Sequence, residues 1–337
     1  MVRIGVIGAG AIGLSSAISV QKLVPGAKVT IIADQFGSDT TSSGAGGLFR
    51  PYLGHFTGMD EEMVKRWIVD SWTYFNELAT STAAQESGQS LVTGTVFYST
   101  PQDKQYSLLA KLAYDFHQVS PEHLKRLNVN YKYGYTFTTV ITQSHKYIVW
   151  LMRKFKENGG TTEYRTIADL KDLCGDFDLV INCTGLRAKE LLNDSLVYPV
   201  RGHLVSIYAP WIKHFYLTED DIYLIPHDDK LHIGGIREKG NYSLTPDSAT
   251  REKILRRAEA LLPQIKGAKV VGEWVGLRPS RDVIRLESEI ISCGTKGKLP
   301  VIHNYGHGGH GITLSWGCGL EAAKLAHNLV MTSKAKL

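Results

Sequence analysis

The first 34 residues carry the pattern that most restricts how this chain can fold. An apolar run at residues 4–7 leads into Gly8-x-Gly10-x-x-Gly13, then into a helical pattern and a second apolar run that ends at Asp34. Glycines at this spacing let a strand turn sharply into a helix whose free N–H groups face a phosphate. A carboxylate about 20 residues further on suits the 2′-hydroxyl of an adenosine ribose. The pattern predicts a Rossmann-like unit that binds a nucleotide cofactor, with an ordinary strand-end carboxylate as the alternative for Asp34.

A second glycine-rich segment lies near the other end of the chain. Four glycines fall between Gly306 and Gly311, and an Ala- and Leu-rich helical pattern follows from Ile312. The segment predicts another loop that points a helix N-terminus at a ligand. Two such loops at opposite ends of one chain favour a single large nucleotide cofactor held from both sides.

Charge and hydropathy exclude several classes of protein. The 38 basic and 33 acidic residues give a formal charge of +5 and are scattered, so no nucleic-acid partner is predicted. No uninterrupted apolar stretch approaches the roughly 18 residues that a membrane span needs. The N-terminus lacks the features of a signal peptide, because its apolar run is broken by the glycines of the turn. We therefore expect an intracellular, reduced protein with no membrane span.

The spacing of cysteines and histidines speaks against a metal site. The four cysteines lie far apart without C-x-x-C spacing, which also argues against a disulfide framework. His303, His307 and His310 are separated by glycines, and no nearby carboxylate completes a ligand set. No metal is predicted, so a cofactor has to supply the reactivity.

The chain ends in Ala335-Lys336-Leu337, a conservative variant of the Ser-Lys-Leu peroxisomal signal. This ending predicts recognition by the peroxisomal import receptor and a location in the peroxisomal matrix. A chance match is the alternative, because many chains end in a basic residue and leucine.

Hydrophobic periodicity predicts an α/β protein with two interleaved domains. Helical patterns cover residues 61–85, 145–157 and 249–262. In the first of them, Trp67, Trp72, Tyr74 and Phe75 are the expected packing positions. Strand patterns cover 92–99, 128–142, 178–183, 201–208, 215–217, 221–225, 230–236 and 269–276. We expect a Rossmann-like cofactor domain at 1–53, 143–195 and 277–337, and a second domain on a mixed, largely antiparallel sheet at 54–142 and 196–276.

Six short motifs, in order along nearly the whole chain, resemble the D-amino-acid oxidase family. They are Gly8-x-Gly10-x-x-Gly13, Thr40-Thr41-Ser42, Asn182-Cys183-Thr184-Gly185, Pro199-Val200-Arg201-Gly202, Gly276-Leu277-Arg278-Pro279 and Asn304-Tyr305-Gly306-His307-Gly308. The resemblance implies the fold of that family, non-covalently bound FAD, and oxidation of a D-amino acid by hydride transfer from Cα to flavin N5. It also implies reduction of O2 to H2O2 and hydrolysis of the imino acid to a 2-oxo acid and ammonia.

The resemblance implies which residues bind the substrate. Arg278 presents a planar fork to the α-carboxylate, Tyr223 donates to the same carboxylate, and the carbonyl of Gly309 accepts from the amine. Holding both ends positions the α-hydrogen for transfer, so no general base is needed when the amine enters neutral. Judged without the resemblance, Arg278 fits equally a surface arginine ahead of a turn-forming proline, and Tyr223 a core aromatic.

The positions that the resemblance assigns to FAD fall in the two glycine-rich segments, at strand ends and in the loop around residue 44. They are Gly8, Gly10, Ala11, Ile12, Gly13, Asp34, Thr40, Thr41, Ser42, Gly47, Leu48, Ile167, Thr184, Gly308, Gly311, Ile312 and Thr313.

Arg237 indicates the side-chain specificity. At its position the neutral-substrate members of the family carry an apolar residue and the D-aspartate oxidases carry arginine, which pairs with the side-chain carboxylate. A solvated arginine at a strand end is the alternative for Arg237. Arg50 replaces an uncharged residue of the family, so it is either a further anchor that favours D-glutamate or a surface charge. The covering segment 214–223 is shorter than in the neutral-substrate enzymes, and residues 303–313 look closer to that neutral branch.

Three functions remain to be distinguished. Arg237 and Arg278 favour an oxidase of acidic D-amino acids, D-aspartate first. The enzymatic alternative is an oxidase with another substrate range: neutral D-amino acids, a broad range of D-amino acids, or glycine-type amines. A flavin-binding protein without turnover is the distant alternative, although cofactor binding alone does not require Arg278 and Tyr223.

Overall fold

The computed structural model describes residues 1–102, 106–127 and 129–334. Within them, thirteen strands follow one another through one hydrogen-bonded sheet, and a short strand, β12, pairs with β8 off this path. Parallel and antiparallel neighbours both occur, so the predicted α/β class with a mixed, largely antiparallel sheet is confirmed. The strands are β1 (Arg3–Ile7), β2 (Lys28–Ala33), β3 (Gln89–Tyr98), β4 (Tyr114–Gln118), β5 (Tyr133–Thr142), β6 (Thr161–Tyr164), β7 (Leu179–Asn182), β8 (Tyr198–Tyr208), β9 (Phe215–Thr218), β10 (Tyr223–His227), β11 (Lys230–Gly234), β12 (Glu238–Lys239), β13 (Val270–Ser292) and β14 (Lys298–His307).

The helices of the described residues cover both ends of the chain and the connections between strands. They are α1 (Ala11–Leu23), α2 (Glu61–Ala79), α3 (Ala84–Ser87), α4 (Leu109–Leu112), α5 (Pro121–Leu127), α6 (Ser144–Glu157), α7 (Ala188–Leu191), α8 (Ser248–Leu261) and α9 (Gly311–Lys334). None of the helices within the described ranges is both long and apolar enough to cross a membrane. The predicted signal at 335–337 lies outside the described residues and stays a prediction.

A parallel layer brings the two glycine-rich segments together. Strands β14, β7, β1, β2 and β6 are neighbours in that order and run parallel. The carboxyl ends of parallel strands lie at one edge of a sheet, and α1 and α9 begin shortly after β1 and β14. The two helices also pack closely, because a Cβ at Gly319 of α9 would lie 2.8 Å from the Ser15 carbonyl carbon of α1. Both glycine-rich turns therefore face the same edge of the sheet.

Strand β13 is much longer than the sequence suggested. The prediction ended this strand at residue 276, but it continues to Ser292, a length of 23 residues. Its first part pairs with β8 and its second part with β14. Pro279 does not end it, because Pro279 lies opposite Pro199 and neither residue has an N–H to leave unpaired. The expected domain boundary at 276/277 falls inside this strand, and the division into two domains stays a prediction.

Helix α2 packs against α9 and contributes aromatic side chains to the core. Asp60 caps its N-terminus by accepting a hydrogen bond from the Met63 amide at 2.6 Å. Trp67, Trp72 and Phe75 are buried in the largest core cluster, as the sequence predicts. The expected helix over 61–85 is shorter in the structure, which ends it at Ala79 and places the separate turn α3 after it.

The prediction that the cysteines form no disulfide was wrong at one pair. Cys174 and Cys293 are joined by a disulfide across 119 residues of sequence. Sequence spacing could not indicate this pair, because the two residues meet only after β13 and β14 have formed their hairpin. Cys183 and Cys318 are buried free thiols. Burial raises the pKa of Cys183 to about 12 and also raises the pKa of Cys318.

Candidate active site

The turn between β1 and α1 is built from glycines that no other residue can replace. Gly8 has φ +105°, and a Cβ on Gly13 would overlap the carbonyl oxygen of Gly8. The Ala11 amide donates to Ser42 Oγ at 3.0 Å. The first hydrogen bond within α1 runs from the Leu14 amide to the Gly10 carbonyl. The amides of Ile12 and Gly13 are therefore at the helix end that binds phosphate.

Asp34 follows β2 at the same edge, where the sequence predicts a ribose-binding carboxylate. It forms an ion pair with Arg187, and the Thr166 hydroxyl lies 3.4 Å from its Oδ2. Ile167, the next residue, is buried against the ends of the parallel strands. Sequence reasoning missed Arg187, although its place just after the β7 strand end was a usable signal.

The loop at residues 40–48 crosses from this turn to the second part of the sheet. Thr40 Oγ1 donates to the Gly37 carbonyl at 2.8 Å, Thr41 is exposed, and Ser42 holds the α1 turn as described. The Gly47 carbonyl accepts from the Thr142 amide at 2.9 Å, and Leu48 bridges to β5. The loop is thereby fixed at both ends to the elements that flank the cofactor edge.

Two further predicted cofactor positions lie where β7 and β14 end. The Asn182 Oδ1 atom accepts from both the amide and the hydroxyl of Thr184, at 3.2 and 2.8 Å. Gly308 adopts φ +54° after β14, and Gly311 begins α9 with no atom within 4 Å of the position that a Cβ would take. Ile312 and Thr313, both nearly buried, form the first turn of that helix. A second helix N-terminus thus meets the first.

These residues fit FAD. The N-termini of α1 and α9 offer free amides to a pyrophosphate. Asp34 and the buried Ile167 lie where the adenosine would bind, and the glycines leave space for the cofactor to approach the backbone closely. Within the described residues, no group of three or more His, Cys, Asp or Glu side chains could hold a metal ion. His307 lies buried in the glycine-rich segment, and burial lowers its pKa to about 3, so the ring is neutral.

A continuous series of contacts connects the predicted substrate residues. The ring of Tyr223 covers Gly234, where a Cβ would overlap it. The Arg278 guanidinium lies against Gly202 and donates to the Ile236 carbonyl at 3.2 Å. A Cβ on Gly309 would be 3.8 Å from Arg278 Cδ. Tyr223, Arg278 and Gly309 therefore occupy one site, beside the loop that carries Gly47.

Arg237 stands at the solvent side of this site. It immediately follows Ile236, and its Nε lies 3.0 Å from Asp221 Oδ1. The side chains of both partners are about half exposed, at 50% and 48%. The pair is therefore solvated, and any anion that binds Arg237 has to share it with Asp221.

Sequence reasoning missed a histidine pair next to the two arginines. His55 Nδ1 lies 2.9 Å from His310 Nε2, and His310 directly follows Gly309. Burial, and after it the charges of Arg237 and Arg50, lowers the pKa of His55 to about 4. Burial is also the largest cause of the lowered pKa of His310, followed by His55, Arg237 and Arg50. One neutral ring therefore donates to the other, close to both guanidiniums.

His227 connects the 40–48 loop to the sheet and predicts a pH dependence of stability. Its Nε2 lies 3.1 Å from the Gly46 carbonyl, and burial lowers its pKa to about 4. An unfolded histidine has a pKa of about 6.5, so the unfolded chain binds more protons between pH 6.5 and 4, and stability falls as the pH falls. Between pH 7.0 and 4.5 the free energy of unfolding should therefore fall by on the order of 2 kcal/mol less in His227→Gln than in wild type.

Thermal unfolding at pH 7.0 and 4.5 measures this effect. Gln retains a donor for the Gly46 carbonyl but cannot be protonated, so the difference in Tm between the two pH values should shrink. The exposed His123 provides the control, because His123→Gln should leave the difference unchanged. Equal differences for wild type and His227→Gln would contradict the assignment. The neighbouring His232, whose pKa burial lowers to about 3, remains in both proteins.

Comparison with known proteins agrees with this geometry. The family model described as FAD dependent oxidoreductase, DAO, matches residues 3–325. D-aspartate oxidase of Homo sapiens is 38% identical over 97% of this chain and 95% of its own length. D-amino acid oxidase of Dugesia ryukyuensis is 33% identical over 98% and 99%. Glycine oxidase from Bacillus cereus shares the fold, with a TM-score of 0.76 at 18% identity, over 97% of this chain and 95% of that one.

The family match covers nearly the whole chain, and it includes both glycine-rich segments and the strand that carries Arg278. The two relatives align over almost their full lengths, so no large part of either is missing here. The chain therefore belongs to the DAO family of FAD-dependent oxidoreductases, and its cofactor is FAD.

Proposed function

We propose that this protein oxidises acidic D-amino acids, with D-aspartate as the main substrate and D-glutamate as a longer one. The supporting observation is that two arginines, Arg278 and Arg237, flank Ile236 in a site that also contains Tyr223 and the Gly309 carbonyl. A dicarboxylate needs two cationic partners, one for each end. The human relative is named for D-aspartate, which agrees with this substrate.

The residues of the site have separate tasks. Arg278 keeps several N–H donors available beside the one that it gives to Ile236, and these bind the α-carboxylate together with the Tyr223 hydroxyl. The Gly309 carbonyl accepts a hydrogen bond from the neutral α-amine. Arg237 faces the side-chain carboxylate. Fixing the substrate at three points leaves its Cα–H in one orientation, and this positioning is the chain's main contribution to catalysis.

The N-termini of α1 and α9 would hold FAD, which would supply the redox chemistry of the reaction, with the hydride's two electrons ending on O2 as H2O2. The amino acid leaves as an imino acid, whose hydrolysis yields a 2-oxo acid and ammonia. The chain has no need of a general base, because the substrate amine enters without its extra proton.

Release of H2O2 from a panel of D-amino acids tests the proposal. Purified holoenzyme is assayed with D-Asp, D-Glu, D-Ala and D-Pro at several concentrations, and kcat/KM is compared. We expect D-Asp or D-Glu to exceed the two neutral substrates by at least on the order of tenfold, since one well-placed charge pair is worth that much. A preference for D-Ala or D-Pro would refute acidic specificity.

One observation favours a second candidate, an oxidase with a neutral or broad substrate range. Asp221 already neutralises Arg237 in part, and both side chains are half exposed, which weakens a charge pair with substrate. Relatives named for D-amino acids in general are also similar to this chain. The same substrate panel distinguishes the two functions.

Replacing Arg237 gives the direct test of its task. We expect Arg237→Ala to lower kcat/KM for D-Asp by on the order of 10- to 100-fold, mainly through KM, because the side-chain carboxylate loses a partner. Activity on D-Ala should change by less than about threefold, because D-Ala has no such group. Kinetics of H2O2 release with both substrates measures the loss of kcat/KM for D-Asp and for D-Ala separately.

Arg256, an exposed arginine of α8, provides the matched control. Arg256→Ala removes the same charge at a distance from the site, so both substrates should behave as with wild type. Equal losses on D-Asp and D-Ala in Arg237→Ala would mean that Arg237 supports the fold of the site and does not select the substrate.

A further inference from the structure

Arg50 is held in a fixed position beside the cofactor loop. Phe49, the residue before it, donates from its amide to the Val140 carbonyl at 2.9 Å and accepts from Thr139 Oγ1 at 2.7 Å. Both bonds attach the backbone to β5. The side chain of Arg50 therefore leaves the chain from a rigid point, two residues after the predicted flavin contact Leu48.

The surroundings of Arg50 are those of a cation without a counterion. Its side chain is partly buried, and Nη1 donates to the Tyr106 hydroxyl at 3.1 Å. Tyr106 in turn lies 2.5 Å from the Tyr98 hydroxyl. Among the described residues, no carboxylate forms an ion pair with Arg50. A partly buried cation that only neutral hydroxyls surround gains strongly from an anionic ligand.

Arg50 and Arg237 both lie beside the predicted substrate site. Tyr106, which accepts from Arg50, packs in one cluster of side chains with Tyr223 of the site, and a Cβ on Gly46 of the cofactor loop would lie 3.8 Å from the Tyr223 ring. The charges of Arg50 and Arg237 also both lower the pKa values of His55 and His310. His310 is adjacent in sequence to Gly309, which contacts Arg278. Arg50 thus approaches the substrate site from the cofactor loop, whereas Arg237 approaches it from the end of β11.

The charges of the two arginines differ in how far they are already compensated. Arg237 pairs with Asp221 at 3.0 Å in a half-exposed position. Its positive charge is compensated in part before substrate arrives, and solvent screens what remains. Arg50 has no such partner within the described ranges and is less exposed. Of these two arginines, Arg50 is therefore the one whose positive charge is uncompensated.

We propose that Arg50 is a specificity-determining residue, which binds the side-chain carboxylate of an acidic D-amino acid together with Arg237. The inference rests on the proposed function, because it assigns the substrate's second carboxylate to a further residue of the same site. Tyr106 positions the Arg50 side chain by accepting from its Nη1. Acidic specificity then depends on Arg50 as well as on the half-neutralised Arg237.

The ratio of kcat/KM for D-Asp to that for D-Asn tests Arg50, because the two substrates have nearly the same shape and differ by one charge. Arg50→Gln should lower this ratio by at least on the order of tenfold. Arg66→Gln, at an exposed position of α2, removes the same charge far from any assigned role and should leave the ratio unchanged. Arg50→Lys keeps the charge without the planar fork and should retain part of the preference.

Binding without turnover gives a second readout. Succinate and butyrate, a dicarboxylate and a monocarboxylate of the same length, are titrated into the holoenzyme, and the change in flavin absorbance gives Kd. Arg50→Gln should weaken succinate binding by on the order of tenfold and leave butyrate within about threefold. If Arg50→Gln fails to retain FAD, Arg50→Lys and Tyr106→Phe carry the test, and both should lower the succinate-to-butyrate preference.

The outcomes separate this inference from the proposed function. A wild-type protein that prefers D-Asn or D-Ala to D-Asp refutes acidic specificity itself. A wild-type protein that prefers D-Asp, together with an unchanged ratio in Arg50→Gln, overturns only the assignment of Arg50 and leaves the selection to Arg237. The assignment of Arg50 is also overturned if both Arg50→Lys and Tyr106→Phe keep the wild-type preference for succinate over butyrate.

Discussion

Replacing Arg278 by leucine should lower kcat/KM for every D-amino acid by on the order of a thousandfold or more. Every substrate has an α-carboxylate, so the loss should be similar for D-Asp and D-Ala, unlike the loss from changing Arg237. The guanidinium is fixed between Gly202 and the Ile236 carbonyl, and it therefore offers its remaining donors in one orientation. Removing a bidentate, charge-assisted contact costs both binding and alignment of the Cα–H.

Kinetics of H2O2 release and the flavin absorbance spectrum measure this effect together. The variant should retain FAD, because Arg278 approaches Gly309 and not the amides of the helix N-termini. Arg278→Lys is the matched control, since it retains the charge but loses the planar fork, and it should show an intermediate loss of on the order of 10- to 100-fold. A loss below tenfold in Arg278→Leu, with FAD bound, would contradict carboxylate binding by Arg278.

Gly13→Ala should abolish the binding of FAD. The added Cβ would overlap the Gly8 carbonyl oxygen, and neither atom can move without displacing β1 or α1. Displacement of α1 moves the amides of Ile12 and Gly13 away from the pyrophosphate. We expect the protein to purify without the yellow colour of bound flavin, and its Kd for FAD to rise by at least on the order of 100-fold.

Titration of apoprotein with FAD, followed by the quenching of flavin fluorescence, gives the Kd values. Gly272→Ala is the matched control, because no atom lies within 4 Å of the position that its Cβ would take. That variant makes the same chemical change in open space and should bind FAD as wild type does. Normal FAD content in Gly13→Ala would show that the α1 turn can relax and that its glycine is not required.

Local patterns predicted the parts of the fold that local physics determines. The glycine spacing after β1 predicted a strand, a turn and a helix within 34 residues, because Gly8 adopts a positive φ and Gly13 meets the Gly8 carbonyl oxygen of the same turn. The aromatic residues of α2 were recognised as core by their helical spacing. The strand that ends at Asn182 was recognised as a short apolar run before small polar residues.

Features that depend on distant parts of the chain were not predictable in the same way. Gly276 and Pro279 looked like the end of a strand, and only the facing Pro199 makes the continuation of β13 acceptable. The glycine-rich segment from Gly306 was expected to form a loop, although its first residues belong to β14, which lies between β13 and β7. The disulfide, the His55–His310 pair and the Arg50–Tyr106 hydrogen bond each connect residues that are more than 50 positions apart in sequence.

The state of the four cysteines has a consequence for the lifetime of the protein. The H2O2 that the proposed reaction releases attacks thiolates far faster than thiols or disulfides. Cys183 directly precedes Thr184 at the cofactor edge, yet its pKa of about 12 keeps it protonated, and Cys318 is equally buried. Cys174 and Cys293 are already oxidised to the disulfide. The four cysteines therefore present no thiolate to the released H2O2, and the protein should survive many turnovers without oxidative damage at cysteine.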